Sequence, residues 1–543
     1  MFFDAKRVPL SARGSYLCFS VRDAQPVLVA ADTREQPNRL FTLQTAPGTD
    51  VRACAGYVEF TGPGTDVRCA FYDQFYMVLS GAKPLRMQYR PECSYVAHTA
   101  VWEDGRIRIG DAKTDSQLWF SARKGALKLH SSWQPGRIHS GDVTVELLPE
   151  NGAFEVVFFK TASLGRAELQ CPSFSECCAA NEADFAAWCE RMHAETSFRK
   201  EMAFVLWQNV VAPLGNYHSE CILCAKASMN AVWSWDHCFH ALGVAAAFPE
   251  MAFDQFMVIF AQMDAQGALP DTVTPRAVTF GFTKPPVHAY IYKIMMERHP
   301  YFTQQAQIER IYPYLCKNFH WWLHGRAGAP VYWHGNDSGA DNATCFDRYP
   351  VVQSPDLYAL LAVTAEVLAN FAERLGDATA AAGYARQAMQ LGRETEARFF
   401  DGERFFVRPA DDHTPFYSGA LLPLRCLVAG KYLSAACMEK TVALLQADYL
   451  GDYGLTSEAF SSPKHTDGMW EAYWRGSVWG CDQILFAHAL RQLGYSALAD
   501  QILQNYRNAL RTGGAAENSN SRTGAGNCTA GYSWAAAAEF YAE

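Results

Sequence analysis

The period of the apolar residues changes once along this chain, near residue 181, and that change limits the fold more than any single motif. Between residues 15 and 160 apolar positions alternate in short runs, at 16–21, 26–31, 67–72, 75–80, 118–122, 143–148 and 154–159, broken by Gly, Pro and Asp. A period of two over short runs marks strands with one buried face, and strands at this spacing predict a β-sandwich. Glu103-Asp104-Gly105 is one of its hairpin signals. Residues 183–210 carry apolar positions at helical spacing with Glu and Arg between them, which predicts a linker helix. From Trp235 onward the regular stretches are helical, at 236–248, 251–265, 286–298, 303–324, 354–375, 378–397, 418–430, 434–449, 474–494, 496–511 and 532–542. The expected domains are a sandwich over 1–180, a linker helix over 181–210 and a helical domain over 211–543.

Helices that follow one another in pairs, with no strand between them, build a solenoid or a toroid. A solenoid needs a repeating sequence unit, and none is evident here, so the expected domain is an (α/α)6 barrel. In such a toroid alternate connections lie at the same end. The long connections near 230–236, 266–285, 325–353, 452–473 and 512–531 would ring one mouth, while short ones such as Gly376-Asp377 close the other. Residues 331–342, Val-Tyr-Trp-His-Gly-Asn-Asp-Ser-Gly-Ala-Asp-Asn, stand out in that ring. They set Asp337 and Asp341 where Gly335 and Gly339 permit sharp turns, with Tyr332 and Trp333 as flat apolar faces. A sugar ring needs both kinds of surface. Asx-turn chemistry that caps the next helix accounts for the same carboxylates, so the stretch needs support from elsewhere in the chain.

Charge and composition narrow the partners. A formal net charge of -9 and an isoelectric point near 5.9 leave no basic stripe for phosphates, which argues against nucleic acid. The first ten residues lack the basic region, apolar core and cleavage site of a signal peptide. No stretch reaches the roughly eighteen apolar residues of a membrane span, so no membrane partner is expected. The 17 cysteines, an odd number scattered through helices and strands, read as reduced buried thiols and point to a cytoplasm. His218, Cys221 and Cys224 give the one spacing that hints at a metal, but a structural zinc needs four ligands and no second pair follows. Asn336, Asn342 and Asn527 begin N-x-S/T sequons whose glycans would sit inside the mouth, a further argument against a secretory route. No metal or cofactor is expected.

Cleaving a glycosidic bond with inversion needs a protonated carboxyl for the leaving oxygen and a carboxylate to activate water on the opposite face, about 6.5–9.5 Å apart. Such residues need only reach the same mouth. In chain order this sequence has Trp233-Ser-Trp-Asp-His-Cys-Phe preceded by Lys226 and Asn230, then Lys284-Pro-Pro-Val-His, Asn336-Asp-Ser-Gly-Ala-Asp-Asn, Tyr473-Trp-Arg-Gly-Ser-Val-Trp, and Glu517-Asn with Gly524 and Tyr532-Ser-Trp534. That series, over 207–543, resembles glycoside hydrolase family 63, which contains processing α-glucosidases and mannosylglycerate hydrolases, with trehalases more distant. The resemblance implies an inverting α-glycosidase with Asp341 as general acid and Glu517 as general base. Desolvation in an aromatic mouth would keep the acid protonated, while Arg522 with nearby Asn and Ser would hold the base ionised. Gly-Gly-Ala-Ala precedes Glu517 where several relatives carry aromatic residues.

The sugar-binding candidates are Trp235, Asp236, Lys284, Trp333, Asn336, Asp337, Asn342, Trp474, Arg475 and Trp534. Asp236 stands at a helix start, where capping is its ordinary role; as a ligand it would accept two sugar hydroxyls. Arg475 and Trp474 are placed just inside another helix start, with a surface salt bridge as the plain alternative for Arg475. Pro285 and Pro286 stiffen the loop that aims Lys284. His237, His240 and His288 read as structural. Other classes remain: a phosphorylase, for which Glu517 has no role; an epimerase moving protons through His237, His288 and His465; and a non-catalytic sugar binder. The reading adopted is an exo-acting enzyme that removes a terminal glucose, or mannose, from a small soluble oligosaccharide or a hexosyl-glycerate.

Overall fold

The computed structural model describes residues 1–22, 25–33, 39–89, 98–111, 116–137, 139–161, 170–326, 328–411 and 414–542; residue 327, in the connection expected near 325–353, lies outside them. The chain divides into two compact units, Met1–Ala231 with Thr274–Arg276, and Val232–Val273 with Ala277–Glu543.

In the first unit the described residues form fifteen strands in one continuously paired sheet, from Phe3–Asp4 at one end of the pairing path to Leu17–Arg22 at the other. The Asp104-Gly105 turn joins His98–Glu103 to Arg106–Asp111, and both turn residues have positive φ, as a two-residue hairpin with right-handed strand twist requires. Strands far apart on the path share one buried aromatic layer. Phe41 in Arg39–Gln44 meets Phe120 and Phe158 edge-on at 5.2 and 5.7 Å, and Phe19 meets Phe60 at 5.0 Å. Two helices follow, α1 (Phe174–Arg191) and α2 (Ser197–Asn209), across the stretch where one linker helix is expected. A capping box, Ser173 with Glu176, starts α1. Cys177 on α1 then packs on Ala70, Val78, Trp119, Val157 and Phe159 of the sheet. Lys226 is also buried in this unit, where its ammonium donates to Ser11 Oγ and to the carbonyls of Ala12 and Val210. Burial pushes its pKa down to about 7.

The second unit holds α3 (Asp236–Val244), α4 (Pro249–Phe260), α5 (His288–Arg298), α6 (Gln305–His324), α7 (Pro355–Arg374), α8 (Ala378–Phe399), α9 (Ala435–Asp448), α10 (Gly480–Gln492), α11 (Ser496–Gly513) and α12 (Ser533–Tyr541). Two expected helices differ. The one over 418–430 is a run of tighter 3-10 turns, Leu422–Tyr432, broken at Ala429; Gly430 there lies so close to Leu493 that a Cβ would stand 2.6 Å from its methyl. The one over 474–494 begins only at Gly480. Residues 473–476 form a turn ending at Gly476, φ 150°, and bridges from Val478 to Thr456 and Ser519 hold the residues just before Gly480 extended. Trp474 and Arg475 therefore lie in a loop, not inside a helix start.

The helices pack in a closed circuit: α3 on α5, α5 on α7, α7 on Leu422–Tyr432, that run on α10, α10 on α12, and α12 on α3. Outside it, α4 packs on α3, α6 on α7, α8 on both α7 and Leu422–Tyr432, α9 on Leu422–Tyr432, and α11 on both α10 and α12. Burial follows this division. Every residue of α7 from Pro355 to Ala365 is buried, whereas α8 buries only a stripe at Ala388, Leu391, Gly392, Thr395 and Phe399, as an amphipathic helix with one solvated face must.

Candidate active site

The loop before α7 is shaped by its two glycines. A Cβ on Gly335 would stand 2.1 Å from the Asp341 carbonyl oxygen, and one on Gly339, at φ 71°, would lie 2.6 Å from the Trp235 ring. Neither position admits a side chain without moving Asp341 or the indole. Asp337 is buried and its oxygens are taken within this part of the fold. They accept from Trp333 N at 2.9 Å, from Thr283 N at 3.2 Å and from the Arg326 guanidinium. Asp337 thus fastens the loop, and Arg326 also covers one face of the Trp333 ring at 4.3 Å. Asn336 receives the Lys284 ammonium on its backbone carbonyl at 3.2 Å and on its side-chain oxygen. The same ammonium lies 3.6 Å from Asp271 Oδ1 and 3.8 Å from Asp341 Oδ1. Lys284 is buried, while the Asp341 side chain keeps 33% of its surface open.

Glu517 comes from a different element. Ala516–Ser519 pairs with Gly526–Ala530, and the register slips between Ala516 and Asn518, so Glu517 sits in a bulge, a device that re-aims a side chain. The small residues before it have a geometric reason. A Cβ on Gly513 would stand 2.3 Å from Gly526 N, and one on Gly526 2.8 Å from the Ala516 methyl. The Glu517 carboxyl is buried and accepts from the Tyr473 hydroxyl at 2.6 Å. Burial pushes its pKa up to about 7; the Tyr473 hydrogen bond opposes this, nearby Asp236 adds to it, and bonds with Thr529 oppose it further. Arg522 does not hold it ionised. The guanidinium pairs with Asp467 at 2.9 Å, in a turn where Asn520 Oδ1 accepts the Arg522 and Thr523 backbone N–H groups.

Two backbone-anchored bonds tie the acidic loops together. Trp474 N donates to Asn342 Oδ1 at 2.7 Å, and Arg475 Nε donates to Asn342 O at 2.7 Å, while the Arg475 guanidinium pairs with Asp347. Asp341 and Glu517 are thereby linked through Asn342, Trp474 and Tyr473. Beneath them lies a floor of indoles. Trp474 stacks on Trp479 at 3.9 Å, Trp235 lies 6.1 Å from Trp474 and 5.6 Å from Trp534, and Trp534 Nε1 donates to the Glu517 carbonyl at 2.9 Å. Asp236, the first residue of α3, accepts from the Tyr532 hydroxyl at 2.9 Å. All of Trp235, Asp236, Trp474 and Trp534 are buried; Trp333 is half exposed.

Four residues escaped the sequence reading. Tyr473 stood in the motif beside Trp474 without being singled out. Arg425 and Asp482, each inside a helical pattern, form a buried ion pair at 2.6 Å; Arg425 also donates to Ser338 O at 3.1 Å and covers Trp235 and Trp474. Glu458, buried, accepts from Thr344 Oγ1 at 2.7 Å and Ser462 Oγ at 2.6 Å, which holds the segment after Asn342.

Among the described residues, one trio brings three potential metal donors together: His237, Cys238 and His288, with ligand atoms within 4.8 Å of one another. His237 is already engaged on both sides, Nδ1 with Trp233 O at 2.8 Å and Nε2 with Cys238 Sγ at 3.5 Å. Burial pushes His237 down to about 4 and His288 well below the ordinary range, so both rings are neutral. Three donors fall short of a structural zinc site. This histidine pair is buried in the helical core, and His465 instead meets Glu458 O at 3.0 Å.

Solved structures that share this fold include glycosidases. A bacterial glucoamylase complexed with acarbose matches 99% of this chain and 93% of its own, with a TM-score of 0.65 at 12% identity. GH63 mannosylglycerate hydrolase from Thermus thermophilus, in complex with glucose, matches 63% of this chain and 99% of its own, with a TM-score of 0.56 at 21% identity; its complex with Tris and D-glycerate gives 0.53 at 20%. The fold is therefore one that glycoside hydrolases use. No curated protein sequence matches the chain significantly. A family model for the mannosylglycerate hydrolase MGH1-like glycoside hydrolase domain matches residues 229–535, more than half of the chain. The chain belongs to that family of glycoside hydrolases. Among the described residues no helix is long and apolar enough to cross a membrane.

Proposed function

We propose that this hydrolase is an inverting, exo-acting α-glycosidase, built as an N-terminal β-sandwich over 1–180, a linker over 181–210 and an (α/α)6 barrel over 211–543. The closed circuit of helices supports the barrel. The observation that carries the mechanism is the pair Asp341 and Glu517, presented by separate loops and joined through Asn342, Trp474 and Tyr473. Asp341, partly open beside Lys284, donates its proton to the glycosidic oxygen. Glu517, poised near neutrality, takes a proton from the attacking water, and a base with that pKa is well matched to work near pH 7. Asp236, Lys284, Asn336 and Asn342 meet the terminal sugar's hydroxyls, with Trp333 beside the ring; Asp337, Arg475, Trp235, Trp474 and Trp534 hold these groups in place. No metal or cofactor takes part. The substrate is a small soluble glycoside of glucose, or mannose, met in the cytoplasm, where the free cysteines stay reduced.

One observation favours a second reading, in which the two carboxyls exchange roles: Glu517 is the buried group raised to about 7, and the cation of Lys284 lies beside Asp341. Anomeric proton NMR during digestion of α-glucosides, α-mannosides and hexosyl-glycerates tests the inverting mechanism. Release of the β-sugar by the wild type, lost in Asp341→Asn and Glu517→Gln, supports it. Release of the α-sugar, or undiminished turnover in both variants, overturns it.

A further inference from the structure

Within the second unit, the large apolar side chains open to solvent are concentrated on the loops of the candidate site. In the second unit the described ones are Phe280, Phe282, Trp333, Met469 and Trp470 on these loops, with only Met389 and Tyr417 elsewhere. Trp470 is the most open, at 66%. Its segment is tied to the hairpin that carries Glu517. Arg522 pairs with Asp467 at 2.9 Å, Asn520 Nδ2 donates to Asp467 O at 3.2 Å and Cys528 Sγ approaches Met469 O at 3.9 Å. The Trp470 ring lies 6.3 Å from that of Tyr473, whose hydroxyl bonds the Glu517 carboxyl. On the loop of Asp341, Trp333 is backed on one face by Arg326, and Phe282 stacks on His334 at 4.8 Å.

Among the described residues, most cations near the mouth are already ion-paired, Arg348 being the exception. Lys284 is held by Asn336, Asp271 and Asp341; Arg475 and Lys464 by Asp347; Arg522 by Asp467; Arg326 by Asp337; and Arg348 lies over Tyr349 at 5.2 Å. A compact anionic aglycone such as glycerate would have to displace a carboxylate from one of the paired cations or draw Arg348 away from Tyr349. A neutral sugar ring needs no cation; it needs a flat apolar face for its C–H groups and hydrogen bonds at its edge.

Resting on the glycosidase reading above, we infer that the leaving group is a neutral sugar residue, carried on Trp470 as an aglycone platform, so that the substrate is an oligosaccharide and not a hexosyl-glycerate. The platform lowers the free energy of the transition state only for substrates that have a ring to place on it. A glycosyl fluoride has none, and this separates the platform from the catalytic carboxyls.

The test compares kcat/KM for α-glucosyl and α-mannosyl fluoride, the corresponding α-linked disaccharides and trisaccharides, and hexosyl-glycerates, in wild type, Trp470→Ala and Trp470→Phe. The exposed position lets both variants fold, with circular dichroism as the check. The wild type is expected to prefer the disaccharide to the hexosyl-glycerate. The ratio of kcat/KM for disaccharide to that for fluoride should fall about tenfold in Trp470→Ala and recover in large part in Trp470→Phe. An unchanged ratio, or a wild-type preference for the hexosyl-glycerate, overturns the platform while leaving the glycosidase reading in place. A wild type that cleaves none of the fluorides, oligosaccharides or hexosyl-glycerates overturns both.

Discussion

Glu517→Gln separates the cost of burying a carboxylate from its chemical use. Moving a carboxyl from 4.5 to about 7 corresponds to about 3 kcal/mol of preference for the protonated form in the folded chain. Since the folded pKa lies above the unfolded one, the native state binds more protons between those values. Stability contributed by this group therefore falls as pH rises from the ordinary carboxylate range through 7, and the full penalty is present above it. Glutamine carries no charge and keeps an oxygen for the Tyr473 hydroxyl. The variant should match the wild type near about pH 4 and exceed it by up to about 3 kcal/mol near about pH 8.5, read from urea unfolding at both pH values. Its activity should fall about 10²–10⁴-fold, the usual contribution of a general acid or base. In the wild type, kcat/KM should rise with pH through about 7 as Glu517 ionises, and that limb should be absent from the residual activity of the variant. A variant no more stable than the wild type at the higher pH refutes the burial argument. A wild-type kcat/KM that falls through pH 7 instead assigns Glu517 the acid role and Asp341 the base.

Tyr473→Phe removes the hydrogen bond that opposes the rise of the Glu517 pKa, so the ascending limb should move to higher pH and kcat/KM at neutral pH should drop about tenfold; an unmoved limb would show that the hydroxyl does not reach the working carboxylate. Gly335→Ala puts a methyl against the Asp341 carbonyl, and a displacement of about 1 Å should lower kcat/KM about 10²-fold while costing about 1–3 kcal/mol of stability, compared by kinetics and urea unfolding on the same preparation. Arg425→Met leaves the Asp482 carboxylate buried without its cation and should destabilise the protein by about 3–5 kcal/mol, with Arg425→Met/Asp482→Leu recovering much of the loss in a double-mutant cycle.

Sequence legibility followed the range of the information. Helix positions in the second unit were readable because a 3.6-residue period is local, and the structure moves most of those helices by only a few residues. The misplaced start at 474 came from Gly476 and from bridges to Thr456 and Ser519, partners distant in the chain. Asp341 and Glu517 were visible as acidic residues in polar loops of a recognisable series. Trp235, Trp474 and Trp534 were visible as tryptophans, but the sequence did not show that they form a buried floor while Trp333 and Trp470 stay open.

By itself, the sequence determined the switch from strand to helical period, the family series of motifs and the two loops that carry carboxylates, since each depends on residues a few positions apart. Only the tertiary structure decided the electrostatics. Glu517 is raised by burial and held by Tyr473, 44 positions away; Arg522 serves Asp467; Arg425 meets Asp482 across 57 positions; and Tyr532 reaches Asp236 across 296. Desolvation and ion pairing depend on what the folded chain brings alongside a group, and no local pattern of residues specifies those neighbours.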